Sequence, residues 1–403
     1  MGFGQGLSGL NAASQNLDVI GNNIANSGTV GFKSGSATFA DVYASSRVGL
    51  GVQVASINQR FTTGIVSTSG NQFDMAIDGA KGLFVVTQPN GATLYTRNGQ
   101  FFADKDHKIV NAQGQQLMGY APGGTSLIGM TVPVGNINPQ ATSTITNKVN
   151  LDADAKVVPA ATAFDPTNAD SYSNMVPLTV YDSLGNSHRV EQYYTKRDPV
   201  GGNSTWEVNY VVDGTAPSGP PPAANTAVLS FDNAGRLVSG SPATITFTPG
   251  GATSPAAPVS IQVSYDGSTQ FGGSYSQDFV QNGYATGEYA SMSIGTNGEL
   301  IANYTNGAKQ TMGQLALADF ANLQGLQPVG GNAWAETANS GQPIMGTPGS
   351  NGLATIKGQA IEESNVDMSQ ELVNMIIAQR TYQANAQTIK TQDQILQTLI
   401  TMR

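Results

Sequence analysis

The chain of 403 residues contains no cysteine and has a formal net charge of −9, with only 11% of its residues charged. The absence of cysteine excludes disulfides and thiolate metal sites, and the acidic balance argues against nucleic acid because it offers no basic patch to phosphates. No apolar run approaches the ~18 residues of a membrane span, and the N-terminus lacks the basic start and continuous apolar core of a secretory signal. We therefore expect no membrane insertion, and a length sufficient for two or three domains.

The first 30 residues predict a helix that needs partners. Apolar side chains recur every seven residues, the period of helices wound around one another, at Phe3, Leu10, Leu17 and Ile24, with Leu7, Ala13 and Ile20 beside them. Glycines at Gly6, Gly9 and Gly21 cost roughly 1 kcal/mol each relative to alanine, and Asp18 is the only charged residue before position 30. Such a helix is typical of packing on several sides; the alternative is that it covers the core of its own domain.

Residues 31–69 are predicted to be an extended connector with a hairpin, because Val52, Val54 and Ile57 begin a two-residue alternation. Short alternating runs continue through the middle of the chain, separated by turn signals. These signals predict type I′ hairpins, whose two central residues need positive φ, at Asp78-Gly79, Asn90-Gly91, Asn98-Gly99, Asn297-Gly298 and Asn306-Gly307. In Asp182 to Gly185 and Asp232 to Gly235, aspartate can hold the turn while glycine takes the left-handed conformation.

The fold class predicted is mainly β with terminal α-helices. The N- and C-terminal helices form a coiled-coil module, residues 1–30 and 364–403, around two nested β domains inserted one within the other. An inner β domain would comprise 70–145 and 284–363, and an outer β domain 146–283, whose Pro- and Gly-rich stretches predict exposed loops.

The C-terminal segment repeats the heptad pattern at Met368, Met375, Tyr382, Ile389 and Leu396, widened by Leu372, Ala378, Leu399 and Ile400. Asp367 followed by Gln370 predicts an N-cap with its reciprocal partner, and hence a helix that begins near Met368. The candidate assembly residues are therefore the apolar residues of both helices: Phe3, Leu7, Leu10, Leu17, Ile20, Ile24, Leu372, Met375, Tyr382, Ile389, Leu396 and Leu399.

No catalytic or cofactor site is predicted. The segment Gly4–Gly9 matches the dinucleotide fingerprint, but that motif needs a preceding strand, so its glycines are better explained by close helix approach or easy unfolding. His107 and His188 have no second histidine at metal spacing, and Asp152 and Asp154 lack the glycine and glutamate of a calcium loop. We expect no enzyme activity, no metal and no small-molecule substrate.

Two further pairs of residues are not predicted to form a catalytic site. Glu362 and Glu363 are adjacent, so on a helix or strand they diverge rather than share a proton. Trp206 and Trp334 are interpreted as core or interface anchors.

Motifs at both ends resemble those of bacterial flagellar rod, hook and hook-associated proteins. The N-terminal motifs are Leu10 to Ala13, Asn16 to Asn26 and Gly31 to Lys33; the C-terminal ones are Ser364 to Asp367, Glu371 to Val373, Ala378 to Tyr382 and Ala384 to Ala386. Within that superfamily the chain is most similar to the hook family, through Asp74 to Ile77, Tyr95 to Gly99, Leu117 to Tyr120, Asn303-Tyr304, Leu315 to Phe320 and Gly330 to Trp334. The segment 146–283 is the least distinctive.

The resemblance implies a short, curved, hollow tube that acts as a universal joint between motor and filament, with the terminal helices around a central channel. Implied partners are neighbouring copies of the chain, the distal rod, a hook cap, a hook-associated junction protein and the flagellar type III export apparatus. Export by that apparatus would explain the missing secretory signal.

Two alternatives remain at this stage. A distal rod or hook-associated axial protein shares the terminal motifs, although a distal rod protein is usually too short for a complete outer β domain. A β-rich surface adhesin, whose helices only anchor it, would usually carry a secretion signal and a ligand pocket.

Overall fold

The computed structural model describes residues 3–42, 49–250 and 255–401. These residues form many β-strands between two long helices, α1 (Phe3–Ala25) and α2 (Met368–Thr401). The chain divides into two compact units. Unit 1 comprises Met1–Val134, Ala290–Asn303 and Lys309–Arg403, and unit 2 comprises Gly135–Tyr289 and Tyr304–Ala308. The predicted fold class, mainly β with terminal helices, is confirmed.

The strands follow one another in chain order from the end of α1 to the start of α2. They are β1 (Gly35–Val42), β2 (Gly51–Gln59), β3 (Val66–Thr68), β4 (Met75–Asp78), β5 (Leu83–Thr87), β6 (Thr93–Thr96), β7 (Phe102–Ala103), β8 (Ile109–Val110), β9 (Gln116–Tyr120), β10 (Leu127–Gly129), β11 (Asn136–Ile137), β12 (Thr144–Asp152), β13 (Asn174–Tyr181), β14 (Ser187–Val200), β15 (Asn203–Val212), β16 (Thr226–Phe231), β17 (Leu237–Ser239), β18 (Ala243–Phe247), β19 (Val259–Ser264), β20 (Thr269–Phe271), β21 (Ser276–Gln281), β22 (Gly287–Ile294), β23 (Glu299–Tyr304), β24 (Lys309–Leu315), β25 (Leu317–Asp319), β26 (Gln327–Gly330), β27 (Ala333–Ala335), β28 (Ile344–Gly346), β29 (Thr355–Gly358) and β30 (Ala360–Glu362).

Unit 1 contains the β1–β2 hairpin and two short pairs, β3 with β30 and β4 with β29, that join distant parts of the chain. Its main sheet has the order β23-β24-β9-β5-β6-β27-β26. The core beside this sheet includes Tyr95, whose ring meets Phe320 edge-on at a centroid distance of 4.8 Å. Trp334 belongs to the same core, and its indole N–H donates to Gln59 Oε1 at 2.6 Å. The hairpin predicted within residues 31–69 corresponds to the β1–β2 pair of this unit.

Unit 2 is a β-sandwich. One five-stranded sheet has the order β13-β14-β15-β16-β17. In the other, β12 pairs with β21 along one edge and with β19 and then β20 along the other, and β18 pairs with β19. Alternate residues of both sheets form one core, which includes Trp206, Tyr194 and Tyr265. Trp206 is completely buried, so each unit has one buried tryptophan, a natural reporter of its folding.

The limits of unit 2, residues 135 and 289, lie outside the predicted outer domain of 146–283. The difference arises because β11 pairs with the first residues of β22, and Gln140 bridges to Tyr284. Residues 304–308 also belong to this unit. The finer division into helical module, connector, inner domain and outer domain remains a prediction.

The predicted type I′ turns are wrong at the five pairs named from the sequence, because none of their first residues has positive φ. At Asn90-Gly91, Asn297-Gly298 and Asn306-Gly307 only the glycine is left-handed, and its N–H donates to the carbonyl three residues earlier. The asparagine side chain accepts the N–H two residues on, which holds the asparagine itself in a right-handed turn. The predicted Asp182 and Asp232 turns are confirmed, each with a left-handed glycine three residues on.

His188 in unit 2 lies between two carboxylates. Its Nδ1 is 2.6 Å from Asp213 Oδ2 and its Nε2 is 3.4 Å from Asp182 Oδ2. Burial opposes protonation of the ring, but the hydrogen bonds and charges of Asp213 and Asp182 outweigh it and raise the pKa of His188 above its usual value of 6.5. The charged imidazolium therefore stabilises the fold at acidic pH.

We expect unit 2 to lose stability as pH rises through the raised pKa of His188. Because the pKa of His188 is higher in the folded than in the unfolded chain, its contribution to stability is fully present below pH ~6.5 and is lost as pH rises through the folded pKa. The measurement is the melting temperature between pH 6 and pH 9, followed by the fluorescence of Trp206 in a Trp334→Phe background. His188→Gln should flatten this profile, and an unchanged slope in that variant would contradict the assignment.

Candidate assembly surface

Helix α1 packs between α2 and the β1–β2 hairpin. On the hairpin side, the Asn23 amide donates to Gly35 O and accepts Gly35 N–H, both at 2.8 Å. One turn from the other end of the helix, Ser8 Oγ accepts the N–H of Val52 at 3.3 Å. Asn23 is almost completely buried, although the heptad pattern did not identify it. These polar contacts fix the hairpin along the helix.

The glycines of α1 permit close approach of α2. A Cβ built on Gly9 would lie 2.9 Å from Asn385 Nδ2, and one built on Gly6 would lie 3.1 Å from Ile389 Cγ1. The two helices are therefore antiparallel, and the side chains of Asn385 and Ile389 lie against the backbone of α1 at these glycines. Around Gly21 nothing lies within 4 Å, so close approach explains two of the three glycines that the sequence left ambiguous.

Helix α2 begins at Met368, as predicted from its N-cap. Asp367 Oδ1 accepts the N–H of Gln370 at 3.1 Å. The predicted reciprocal bond is replaced, because the Gln370 side chain donates to Asn374 Oδ1 instead.

The predicted assembly residues divide by exposure in the single chain. Ile20 is buried, and five are half-buried: Leu10, Leu17, Ile24, Met375 and Ile389. Five are exposed: Phe3, Leu7, Leu372, Tyr382 and Leu396. The side chain of Leu399 lies outside the described part of the chain. The role of these residues in assembly remains a prediction.

A second, contiguous set of exposed apolar side chains lies on the first turns of α2. We call this set the α2 band: Met368, Leu372, Val373, Ile376 and Ile377, each 46–58% exposed. Spacings of three and four residues place its members on adjacent turns of one outward side of the helix. Large contiguous apolar surfaces on soluble monomers are typical of interaction sites.

A groove extends from the α2 band towards the hairpin. Its volume is about 490 Å³, and its walls include Ala12 and Ala13 of α1, Phe39 of β1, and Ile377 of α2. Phe39 is 46% exposed. All three elements of the helix–hairpin assembly therefore contribute apolar surface at one place.

A buried ionic cluster, which we call the clasp, connects the segment between α1 and β1 with the segment that precedes α2. Glu362 is fully buried and pairs with Lys33 Nζ at 2.6 Å and with Arg97 Nε at 2.5 Å. Lys33 also donates to Thr62 O at 2.7 Å, and Arg97 donates to Gly82 O at 2.6 Å. The carboxylate additionally accepts the N–H of Gly64. Two cations thus share one carboxylate within the protein interior.

The electrostatics of the clasp depend on Glu362. Burial lowers the pKa of Lys33 below its usual value, and the charge and hydrogen bond of Glu362 oppose this shift. Without the carboxylate, both cations would remain buried and unpaired, a costly arrangement. None of these contacts is predicted from the sequence.

Asn365 extends the clasp to the start of α2. Its Oδ1 accepts the N–H of Ser34 at 2.8 Å, and its Nδ2 donates to Arg60 O at 2.7 Å. Ser34 and Arg60 lie at the two ends of the hairpin base. The clasp therefore fixes where α2 begins relative to the hairpin.

Among the residues that the structure describes, no group of His, Asp and Glu side chains could hold a metal ion. In the same residues, neither helix is apolar enough over its length to cross a membrane. Gly4–Gly9 lies within α1, which is not the strand-to-helix turn of a dinucleotide site.

Paired terminal helices, an exposed apolar band and an inserted β unit are typical of a structural protein that associates with further chains. Four family models match the chain: "Flagella basal body rod protein" over residues 5–33, "Flagellar hook protein FlgE/F/G D1 domain" over 76–158, "Flagellar basal body protein FlaE D2 domain" over 150–284, and "Flagellar basal body rod FlgEFG protein C-terminal" over 357–402.

Curated relatives match over the full length. The chain is 44% identical to the flagellar hook protein FlgE of Escherichia coli K12, covering 100% of both chains. It is 32% identical to FlgE of Treponema pallidum, over 99% of this chain and 98% of the relative. The crystal structure of the Helicobacter pylori hook protein FlgE2 shares the fold with a TM-score of 0.54, at 15% identity over 74% of this chain and 99% of that one.

The chain belongs to the flagellar hook protein family. It is a structural subunit of the bacterial flagellar hook, and the predicted class and location are confirmed.

Proposed function

We propose that the chain polymerises through α1, α2 and the hairpin into a short, curved, hollow tube that passes motor torque from rod to filament as a universal joint. The α2 band is the observation that carries this proposal. Its five side chains are about half exposed on a helix whose opposite side packs against α1. Complete burial of such a side chain contributes on the order of 1.5–3 kcal/mol, so covering its exposed half would contribute roughly half of that for each residue of the band.

The groove beside the band gives the neighbour a place to insert side chains. It is bounded by small residues of α1, by Phe39 and by Ile377. Few charges need to be desolvated there, because Asp18 is the only charged residue in α1 and the α2 band carries none. The low overall charge of the chain supports the same role, since polar hydrogen bonds between copies can exchange with water as a joint bends.

The further partners proposed are those of a hook subunit: the distal rod at one end, a hook cap during growth, a hook-associated junction protein at the other end, and the type III export apparatus. The glycine-containing, nearly uncharged α1 supports export in an unfolded state, because glycine within a helix lowers the stability of the isolated helix.

Charging the α2 band tests the proposal. We expect Leu372→Asp with Ile376→Asp to abolish tubes in electron micrographs of the purified protein, because each neighbour would have to bury two carboxylates. The matched control is Gln387→Asp with Gln394→Asp, which adds the same charge to exposed polar positions on the same side of α2 further along. Tubes from the band variant, with Trp206 and Trp334 reporting folded units in both proteins, would overturn the proposal.

Deletion of residues 364–403 is a second test. The truncated chain should keep unit 2 folded, as reported by Trp206, yet form no tubes; tubes from this chain would contradict a role for α2 in assembly.

A further inference from the structure

The sequence contains six Asn-Gly pairs. In this dipeptide the backbone nitrogen of glycine can attack the side-chain amide carbon of asparagine, because glycine has no side chain to obstruct the approach. The six are Asn90-Gly91, Asn98-Gly99, Asn282-Gly283, Asn297-Gly298, Asn306-Gly307 and Asn351-Gly352. They share the same local chemistry, so any difference in their reactivity must come from the fold. We propose that the folded chain deamidates selectively at Asn351, forming isoaspartate and aspartate there.

Hydrogen bonds hold the side-chain oxygen at five of the six pairs. Those of Asn90, Asn98, Asn297 and Asn306 each accept the N–H two residues on, at 2.9–3.1 Å. That of Asn282 accepts the N–H groups of Ser143 and Thr144, both at 3.0 Å. These bonds fix the orientation of the amide carbon that must be attacked. Losing one such bond before reaction slows it roughly fivefold, the rate equivalent of ~1 kcal/mol.

Asn351 has no side-chain hydrogen bond among the described residues, and it is exposed. It forms the only Asn-Gly turn of the described chain with two left-handed central residues, φ 50° at Asn351 and 76° at Gly352. Leu353 N–H closes this turn on Ser350 O at 2.8 Å. The type I′ geometry predicted for other pairs is thus found here, where the turn bond uses neither the side chain of Asn351 nor the N–H of Gly352.

Space around the glycine gives a second, independent contrast. A Cβ built on Gly352 would meet nothing within 4 Å, so solvent and base can approach. At Gly99 and Gly283 the same position is filled by Met75 O and by Thr142, and at Gly298 by Pro348. The two remaining open glycines, Gly91 and Gly307, follow asparagines that are already held. Among the six pairs, Asn351-Gly352 is the only one in which the asparagine side chain has no hydrogen bond among the described residues and the glycine has no neighbouring atom in its way.

The reaction needs only water. The backbone nitrogen of Gly352 loses its proton and forms a bond to Cγ of Asn351; the bond from Cγ to Nδ2 breaks, and the amide leaves as ammonia after taking up that proton. Water then adds to either carbonyl of the resulting succinimide and opens the ring. One opening yields aspartate, and the other yields isoaspartate, in which the main chain passes through the side-chain carbon.

Either product adds a negative charge to the turn that connects β28 to β29. Isoaspartate also lengthens the backbone by one carbon between Ser350 and Leu353, whose side chain is buried. A change in this turn therefore reaches the packing of unit 1. Because the reaction consumes only water and is not reversed by the fold, the modified fraction would increase with the age of the chain.

Peptide mapping by mass spectrometry tests the proposal. The purified full-length protein is incubated folded at mildly alkaline pH, and the replacement of each amide by an acid is followed over time at all six pairs, with isoaspartate detected by enzymatic methylation. Asn351 should react at least roughly fivefold faster than each of the other five.

The same incubation in urea is the control, because unfolding removes every structural difference between the pairs. There the six rates should converge. Asn351→Gln should abolish the fast modification, whereas Asn90→Gln should leave it unchanged. Equal rates in the folded protein, or a preference for Asn351 that persists in urea, would overturn the proposal.

Discussion

Replacing Glu362 by alanine is expected to destabilise unit 1 by about 3–5 kcal/mol, the usual cost of removing one partner from a buried ion pair. Lys33 and Arg97 would both remain in the interior without their carboxylate. The free energy of unfolding can be measured by urea titration with Trp334 fluorescence, in a Trp206→Phe background that makes Trp334 the sole tryptophan.

Glu363 provides the matched control, since it is the next residue and its side chain is exposed. Glu363→Ala should change the stability of unit 1 by less than ~0.5 kcal/mol. Similar losses in the two variants would contradict the role assigned to the clasp. Unit 2, followed through Trp206 in the converse background, should be unaffected by either change.

Introducing leucine at Gly9 is expected to separate α1 from α2, at a cost of about 1–3 kcal/mol from overpacking. A Cβ at this position already approaches Asn385 Nδ2 to 2.9 Å, so Asn385 would have to move to admit a leucine side chain. The loss should appear as reduced helical circular dichroism on heating. Tube formation should fail as well, because the groove lined by Gly9 and Asn385 would change shape.

Gly21→Leu makes the same change in the same helix, at a position where nothing lies within 4 Å. Helix propensity favours leucine over glycine by roughly 1 kcal/mol, so this variant should match or exceed the parent in stability. If both variants lose equal stability, glycine is required for a reason other than close helix approach.

The terminal helices could be predicted because their signals are local. A seven-residue apolar period and the Asp367 cap lie within short windows of sequence, and α2 begins at the predicted residue. Which side of α1 faces α2 was harder to predict. Its contact with α2 involves Gly6 and Gly9, which carry no apolar signal, while Phe3 and Leu7 of the predicted seam are exposed in the single chain.

The clasp could not be predicted from local pattern. Glu362 pairs with Lys33 and Arg97 across 329 and 265 positions of sequence, and nothing in the sequence of Glu362 and Glu363 says which carboxylate is buried. The signal that could have identified Glu362 is the alternation of strand β30, in which Ala360 and Glu362 are buried and the residue between them is less so. The predicted turn type was wrong for a different reason. At Asn90, Asn297 and Asn306 the asparagine side chain accepts a nearby backbone N–H, and this hydrogen bond favours a right-handed conformation over the type I′ turn.

The position of the clasp also has a mechanical consequence. Lys33 follows soon after the C-terminal end of α1, and Glu362 shortly precedes the N-terminal end of α2, so both helices join the β-strands of unit 1 close to this one cluster. Tension on either helix therefore converges on one carboxylate, where the bonds to Lys33, Arg97 and Gly64 would be loaded side by side rather than broken one after another. Such an anchor would resist pulling on either helix.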